Sequence, residues 1–335
     1  MDREKYLVRP FVDPDHEASA RIHALVTPEF AFTAEEERHW EEHFLLPPLI
    51  NENWVVEERS SRKVVGLGSM AHSPFSYDAH KFWTGVVVDP EHRGRGIGRA
   101  LSALIEWEAL AHRAVCLWTN VRKDDPRSLE FARKQGFAEL RRLWMSTLDL
   151  SRARPVSPPE RLAALEKQGI RFTTLAEEGP DRPEVRRRLF DLATVASRDV
   201  PRVGEYTPIS FEQFVGELSS PGFLPEAYFL ACSGERYVAM SNLERPLAER
   251  DSLRVGFTGT RPEFRGKGLA SELKRRAFEY ARHQGARYLR TVNDSLNLPM
   301  WAINEKQGFV RTFEWIAEER RFPPSGSLPA PTGKG

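Results

Sequence analysis

The 335-residue chain carries 49 Lys and Arg against 48 Asp and Glu, for a net charge of +1, so no overall field draws it to nucleic acid or to an anionic membrane, and a partner belongs in a pocket. No apolar run approaches the ~18 residues of a membrane span, and Met1-Asp2-Arg3-Glu4-Lys5 is charged with no apolar stretch behind it, which leads us to expect a cytoplasmic protein. Cys116 and Cys232 each sit in an apolar run and read as buried thiols, and the His residues show no ligand spacing, so neither a disulfide framework nor a metal is expected.

Residues 5–11 alternate as a first strand, followed by helices over 14–27 and 34–45, with Thr33 as an N-cap ahead of acidic residues. Strands at 54–57 and 64–70 flank the polar turn 59–62, and the strand 82–88 runs into a Gly-rich turn. The helix 97–113 follows, with Ile97, Leu101, Leu104, Ile105 and Leu110 as its apolar stripe. A strand at 115–119, a helix over 126–135 closed by Gly136, and a strand at 140–148 complete this stretch.

Residues 151–160 are Pro-rich and polar, as a linker is. After a helical piece at 160–167 the order restarts: strand 170–175, helices 183–196 and 210–218, strands 227–232, 237–243 and 253–260, helix 268–284, strand 288–292, helix 297–306, strand 310–317. We divide the chain into 1–150, a linker at 151–168, 169–322, and a disordered Pro/Gly/Ser-rich tail at 323–335.

The restart is a duplication. Arg93-Gly94-Arg95-Gly96-Ile97-Gly98 and Arg265-Gly266-Lys267-Gly268-Leu269-Ala270 are 265 − 93 = 172 positions apart, and Lys134-Gln135-Gly136-Phe137 and Lys306-Gln307-Gly308-Phe309 keep the same 306 − 134 = 172. Two unrelated segments at one spacing mark two copies of one domain. In each, backbone N–H groups at a glycine-rich helix start can cradle a diphosphate, with Arg93 or Arg265 and Lys267 adding positive charge.

Arg-x-x-Gly-x-Gly/Ala after a strand, with Gly-Phe some forty residues later, resembles the acetyl-CoA-binding core of the GNAT superfamily of N-acetyltransferases. The resemblance covers nearly the whole chain as two tandem copies. It implies two α/β domains, each a mixed, mostly antiparallel sheet flanked by helices, whose fourth and fifth strands splay to grip pantetheine. It implies acetyl-CoA as cofactor and direct transfer of acetyl to a primary amine of a small molecule or peptide. Cofactor contacts are then expected at Val88, Arg93, Gly94, Gly96 and Gly98 in the first copy. In the second they are expected at Thr258, Thr260, Arg265, Gly266, Lys267, Gly268, Ala270, Asn293 and Asn297. The donor to the thioester oxygen would come from 85–88 or 257–260.

His72 and Glu244, again 244 − 72 = 172 apart, end the strand before the motif strand, where family members often keep a base; Glu244 is the favoured catalytic residue, against a reading of both as solvated strand ends. The family's Tyr, which protonates the departing thiolate, is replaced by Ala132 and Asn304. Asn297 and Asn304 share a helix face, which assigns Asn304 a catalytic part and leaves Asn297 between coenzyme ligand and N-cap. The richer polar set favours the second copy as catalytic and leaves the first between coenzyme binding and a degenerate, structural remnant. Aromatic residues Phe190, Tyr206, Phe211, Phe214, Phe223 and Phe229 fall where the family shapes its acceptor pocket, though most suit a core. The chain is expected to be a monomer with pseudo-dimeric halves or a homodimer. The alternative function is non-catalytic acyl-CoA binding.

Overall fold

The structure is a computed structural model and describes residues 1–153 and 159–323; the centre of the expected linker and the expected tail beyond 323 lie outside them. The first half runs β1 (Tyr6–Pro10), α1 (His16–Val26), α2 (Ala34–Phe44), β2 (Asn51–Glu58), β3 (Val64–Ala71), β4 (Lys81–Val88), α3 (Ile97–Ala111), β5 (Cys116–Arg122), α4 (Pro126–Lys134) and β6 (Ala138–Asp149). A connecting helix α5 (Pro159–Lys167) leads to β7 (Ile170–Thr174), α6 (Leu175–Glu178), α7 (Pro183–Ser197), α8 (Phe211–Glu217), β8 (Phe223–Ser233), β9 (Arg236–Glu244), β10 (Ser252–Thr260), α9 (Leu269–His283), β11 (Tyr288–Asp294), α10 (Leu298–Gln307) and β12 (Val310–Arg321).

Local chemistry explains the helix ends. Thr33 caps α2 by accepting from the Glu36 N–H at 3.2 Å, while Glu36 accepts from the Thr33 N–H at 2.7 Å; such a reciprocal pair satisfies two otherwise orphaned donors. Along α3 the buried stripe is Ile97, Leu101, Ile105 and Ala109. Leu110, expected in it, is 43% exposed, because a residue thirteen positions past Ile97 lies roughly 140° round the helix from it.

All strands join one twelve-stranded sheet in the order β1-β2-β3-β4-β5-β12-β6-β11-β10-β9-β8-β7. The sheet does not close copy by copy: β12 pairs with β5 from Trp315↔Arg122 to Arg321↔Cys116, and β6 pairs with β11 from Tyr288↔Asp149 to Asp294↔Leu143. The halves have exchanged their final strands, and β6 and β12 then pair with each other at the centre. The exchange carries side chains with it. Leu148 of β6 is buried among Leu269, Leu273 and Leu289 of the second half, and Phe322, just past β12, packs against the core of the first.

Elsewhere the halves follow the expected plan. β4 and β5 run parallel only from Lys81↔Cys116 to Trp83↔Trp118, and β10 and β11 only from Ser252↔Tyr288 to Arg254↔Arg290. Beyond those residues each pair parts, leaving a splay on either side of the exchanged strands. Cys116 and Cys232 are both buried and free.

Candidate active site

Both Gly-rich turns take the conformation that glycine permits. Gly94 and Gly96 have φ of 83° and 81°, and Gly266 and Gly268 have 77° and 88°, in the left-handed region that side chains avoid. Gly96 and Gly268 stand at the N-caps of α3 and α9, so the first amides of each helix are presented at the turn. Ala270 lies in the first turn of α9, and at the equivalent place a Cβ on Gly98 would meet the Phe131 ring at 3.3 Å. The two arginines have a second duty: Arg93 Nε donates to the Val88 carbonyl at 3.2 Å and Arg265 Nε to that of Thr260 at 3.1 Å. They brace the corner where strand enters turn, and Arg265 also pairs with Asp199 at 2.7 Å. Lys267 lies over the Phe264 ring, 4.7 Å from its centre.

The cradles differ in what lies on them. In the first, the Met1 nitrogen is 2.6 Å from where a Cβ on Gly96 would stand. In the second, the Arg161 side chain of α5 occupies that place, its Cδ at 2.9 Å and Nη1 at 3.2 Å from a Cβ on Gly268. Arg161 was missed in the sequence because it follows a Pro-rich stretch with no pattern tying it to a turn over a hundred residues away.

The strands leading into the cradles differ more. β3 and β4 keep one register from Gly66↔Val88 to Ala71↔Trp83, whereas β9 and β10 shift register between Val255 and Thr258. The excess residue makes a bulge at Gly256-Phe257, and a bulge re-aims backbone and side chains locally. Asn242 holds it from β9: its Oδ1 accepts from the Phe257 N–H at 2.7 Å, and its Nδ2 donates to Glu244 Oε1 at 3.2 Å. A Cβ on Gly256 would sit 2.5 Å from both Asn242 Nδ2 and Glu244 Oε1, so the Glu244 carboxylate lies directly over the bulge. The Phe257 N–H, at the head of the expected oxyanion donors, is thereby engaged. The Thr258 hydroxyl bonds Ser241 at 2.9 Å, and the Thr260 carbonyl is taken by Arg265.

Glu244 is not a solvated strand end. Burial raises its pKa, against the pull of the Asn242 amide and the Arg254 guanidinium, with Glu36 of α2 adding like charge. Glu217, the last residue of α8, is pushed up to about 7 by burial and by the charge of Glu244. Tyr228 stays protonated, raised by burial and by both carboxylates. Two acids and a phenol thus share one poorly hydrated corner, and their arrangement suits a cation. The wall of this corner comes partly from the first half: His39 Nε2 bonds the Gly216 carbonyl at 2.9 Å, and the Gln213 amide donates to the Phe44 carbonyl at 2.8 Å. Of the six expected aromatics, Phe214 and Phe229 are core, Phe190 packs on Phe211 and Phe214, and Tyr206 stacks with Arg202. Phe223 pairs opposite Glu244 and lies 6.3 Å from the Tyr228 ring.

The equivalent corner of the first half is closed. His72 is 4% exposed, stacks on Phe82 at 4.3 Å, and accepts the Ile50 N–H on Nδ1; burial pulls its pKa down. The fold does bring ligand atoms of Glu52, Glu108 and His112 within 4.8 Å of one another in this half, where His112 bonds Glu52 at 3.0 Å; Glu108 and His112 are four apart in the sequence, and Glu52 of β2 joins them only in the fold.

The asparagines require correction. Asn304 is 0% exposed and sits at the centre of a buried line, accepting from Lys274 Nζ at 2.8 Å and donating to Asn293 Oδ1 at 2.7 Å. With both ends of its amide engaged inside the protein it is not placed to touch a reacting group. Asn297 caps α10 by accepting from the Met300 N–H at 3.4 Å, as the second of its two readings has it. Asn293 stays on β11, within the splay.

Comparison with known proteins accords with this geometry. The Acetyltransferase (GNAT) family model matches residues 19–137 and 195–309. A mycothiol acetyltransferase of Streptomyces bingchenggensis is 28% identical over 264 residues, 78% of each chain. One of Nocardiopsis dassonvillei is 26% identical, over 73% of this chain and 76% of its own. Among solved structures, a tandem GNAT protein from the clavulanic acid biosynthesis pathway matches in fold with a TM-score of 0.73 at 21% identity, covering 95% of this chain and 98% of that one. A GCN5-related N-acetyltransferase from Sphaerobacter thermophilus matches with a TM-score of 0.68 at 20% identity over 96% of both. With two cradles, two splays and a family match to each half, the chain belongs to the GNAT acetyltransferase family, whose cofactor is acetyl-CoA.

Proposed function

We propose that the second half transfers acetyl from acetyl-CoA directly to a primary amine of a small molecule or peptide, with Glu244 as general base, and that the first half is a non-catalytic partner. The observation that carries this reading is the bulge at Gly256-Phe257 beneath the Glu244 carboxylate, a feature β4 lacks.

Bound acetyl-CoA supplies the acetyl group as an activated thioester. The residues for holding its phosphates are the amides of 266–270, with Lys267 and Arg161 beside them. An acceptor amine with a pKa near ~10 arrives as an ammonium, which the Glu217–Glu244 corner attracts. Glu244 then removes a proton. A carboxylate whose pKa burial raises is better matched to that task than an ordinary one, which is a weaker base. Closing this corner with α2 and α8 keeps water from competing for the base.

Release of free thiol from acetyl-CoA in the presence of a panel of primary amines tests the reading, and the names of the relatives put a mycothiol-type acceptor in that panel. Glu244→Gln should lower turnover by at least about 100-fold while acetyl-CoA affinity, measured by calorimetry, stays unchanged. Full activity in that variant would remove Glu244 from its role.

A further inference from the structure

Lys274 projects from α9 into the protein and is 1% exposed. Its Nζ donates to Asn304 and lies 5.7 Å from the centre of the Phe309 ring. No carboxylate pairs with it among the described residues, and burial alone pulls its pKa down to about 7. An ammonium buried without a counter-ion is expensive.

The line of hydrogen bonds from this lysine has one direction. Lys274 donates to Asn304, and Asn304 donates to Asn293. Bonds aligned in this way polarise one another. The line ends at Asn293 on β11 beyond Arg290, where β10 has already parted from it, and the Nδ2–H groups of Asn293 are its terminal donors. Asn304 itself stands where the family's thiolate-protonating Tyr is missing.

We propose that Lys274, acting through Asn304, makes Asn293 a strong hydrogen-bond donor to the thiolate that leaves acetyl-CoA, in place of the absent acid. This rests on the transferase reading above. Glu244 first passes one proton of the ammonium to solvent; as the resulting neutral nitrogen bonds the acetyl carbon, the carbon–sulfur bond breaks and its electron pair stays on sulfur, and the second nitrogen proton goes to Glu244. Lys274 transfers no proton in this step, donating through an N–H that both its charged and its neutral form carry, and solvent later protonates the sulfur. Asn293 is the contact residue, with Asn304 and Lys274 as its positioning residues.

The test uses coenzyme A itself, whose thiol ionisation on the protein is followed by the ultraviolet absorbance of the thiolate. In the wild-type protein the bound thiol should titrate about one unit below its free value, a roughly tenfold rise in ionisation constant. In Lys274→Met and in Asn304→Leu it should return to the free value with coenzyme A still bound. Lys274→Met removes the buried amine but also strips Asn304 Oδ1 of its donor, so thermal unfolding is measured alongside to show that the variant is folded, and a merely structural lysine would leave the thiol titration unmoved. Equal thiol titration in wild type and Lys274→Met overturns the proposal. Failure of the wild-type protein to bind coenzyme A would instead overturn the transferase reading beneath it.

Discussion

Glu217 closes α8 beside Glu244 and Tyr228, and its raised pKa makes it a measurable element of stability. A carboxyl that binds its proton more tightly folded than unfolded contributes stability at low pH that is lost as pH rises from its unfolded toward its folded value. For Glu217 that window runs from 4.5 to about 7. Glu217→Gln should therefore raise the unfolding temperature more at pH ~8 than at pH ~5, as read by calorimetry; an equal change at both values would show that the carboxyl titrates normally. Glu244 and the cradle glycines were legible in the sequence because a fixed spacing of 172 residues singled them out. Glu217, Asn242, Arg161 and Lys274 were not. Lys274 begins the run Lys274-Arg275-Arg276, which reads as a solvated face. Successive helix residues leave the axis roughly 100° apart, and here Arg275 and Arg276 turn to Glu272 while Lys274 turns inward.

At the level of elements, the strands and helices lie close to where hydrophobic period and turn residues put them, and the two splays lie where the family resemblance puts them. The bulge was not legible: one excess residue inverts the in/out alternation beyond it, but only Thr258, Gly259 and Thr260 follow it in β10, too few and too polar to show the inversion, and β4 with the same offset has no bulge. Its dependence on glycine can be checked. In Gly256→Ala the added Cβ meets Asn242 and Glu244 at 2.5 Å and must displace one of them. We expect turnover to fall about 10- to 100-fold, as for a catalytic group misplaced by an ångström, with acetyl-CoA affinity retained. Wild-type turnover in this variant would separate the bulge from the chemistry.

For the whole molecule, hydrophobic pattern described twelve strands well but was silent on which sheet β6 and β12 join, since either pairing buries the same alternating face. The exchange means that residues 1–150 and 169–322, although each reads as a domain, lack a completed sheet in isolation. Each fragment produced alone should expose an unpaired central edge and aggregate, while co-expression should yield a folded complex by size-exclusion chromatography and circular dichroism. A folded, soluble 1–150 fragment would show that its sheet closes without β12. Leu148→Ala tests the same dependence from inside: although Leu148 belongs to the first half, its loss should cost about 2–5 kcal/mol by opening a hole among Leu269, Leu273 and Leu289 of the second.

The place of β12 between β5 and β6 also sets an order of events at the ribosome. β5 ends at Arg122 and its partner strand ends at Arg321, so 321 − 122 = 199 further residues must be made before that edge is covered. At ~5–20 residues per second this is about 10 to 40 s. The earliest-made half waits, incomplete, for the latest-made strand. Ordinary tandem proteins can finish one domain before starting the next; this one finishes both together, and the nascent β5 edge is the part of the chain that a chaperone would have most reason to hold.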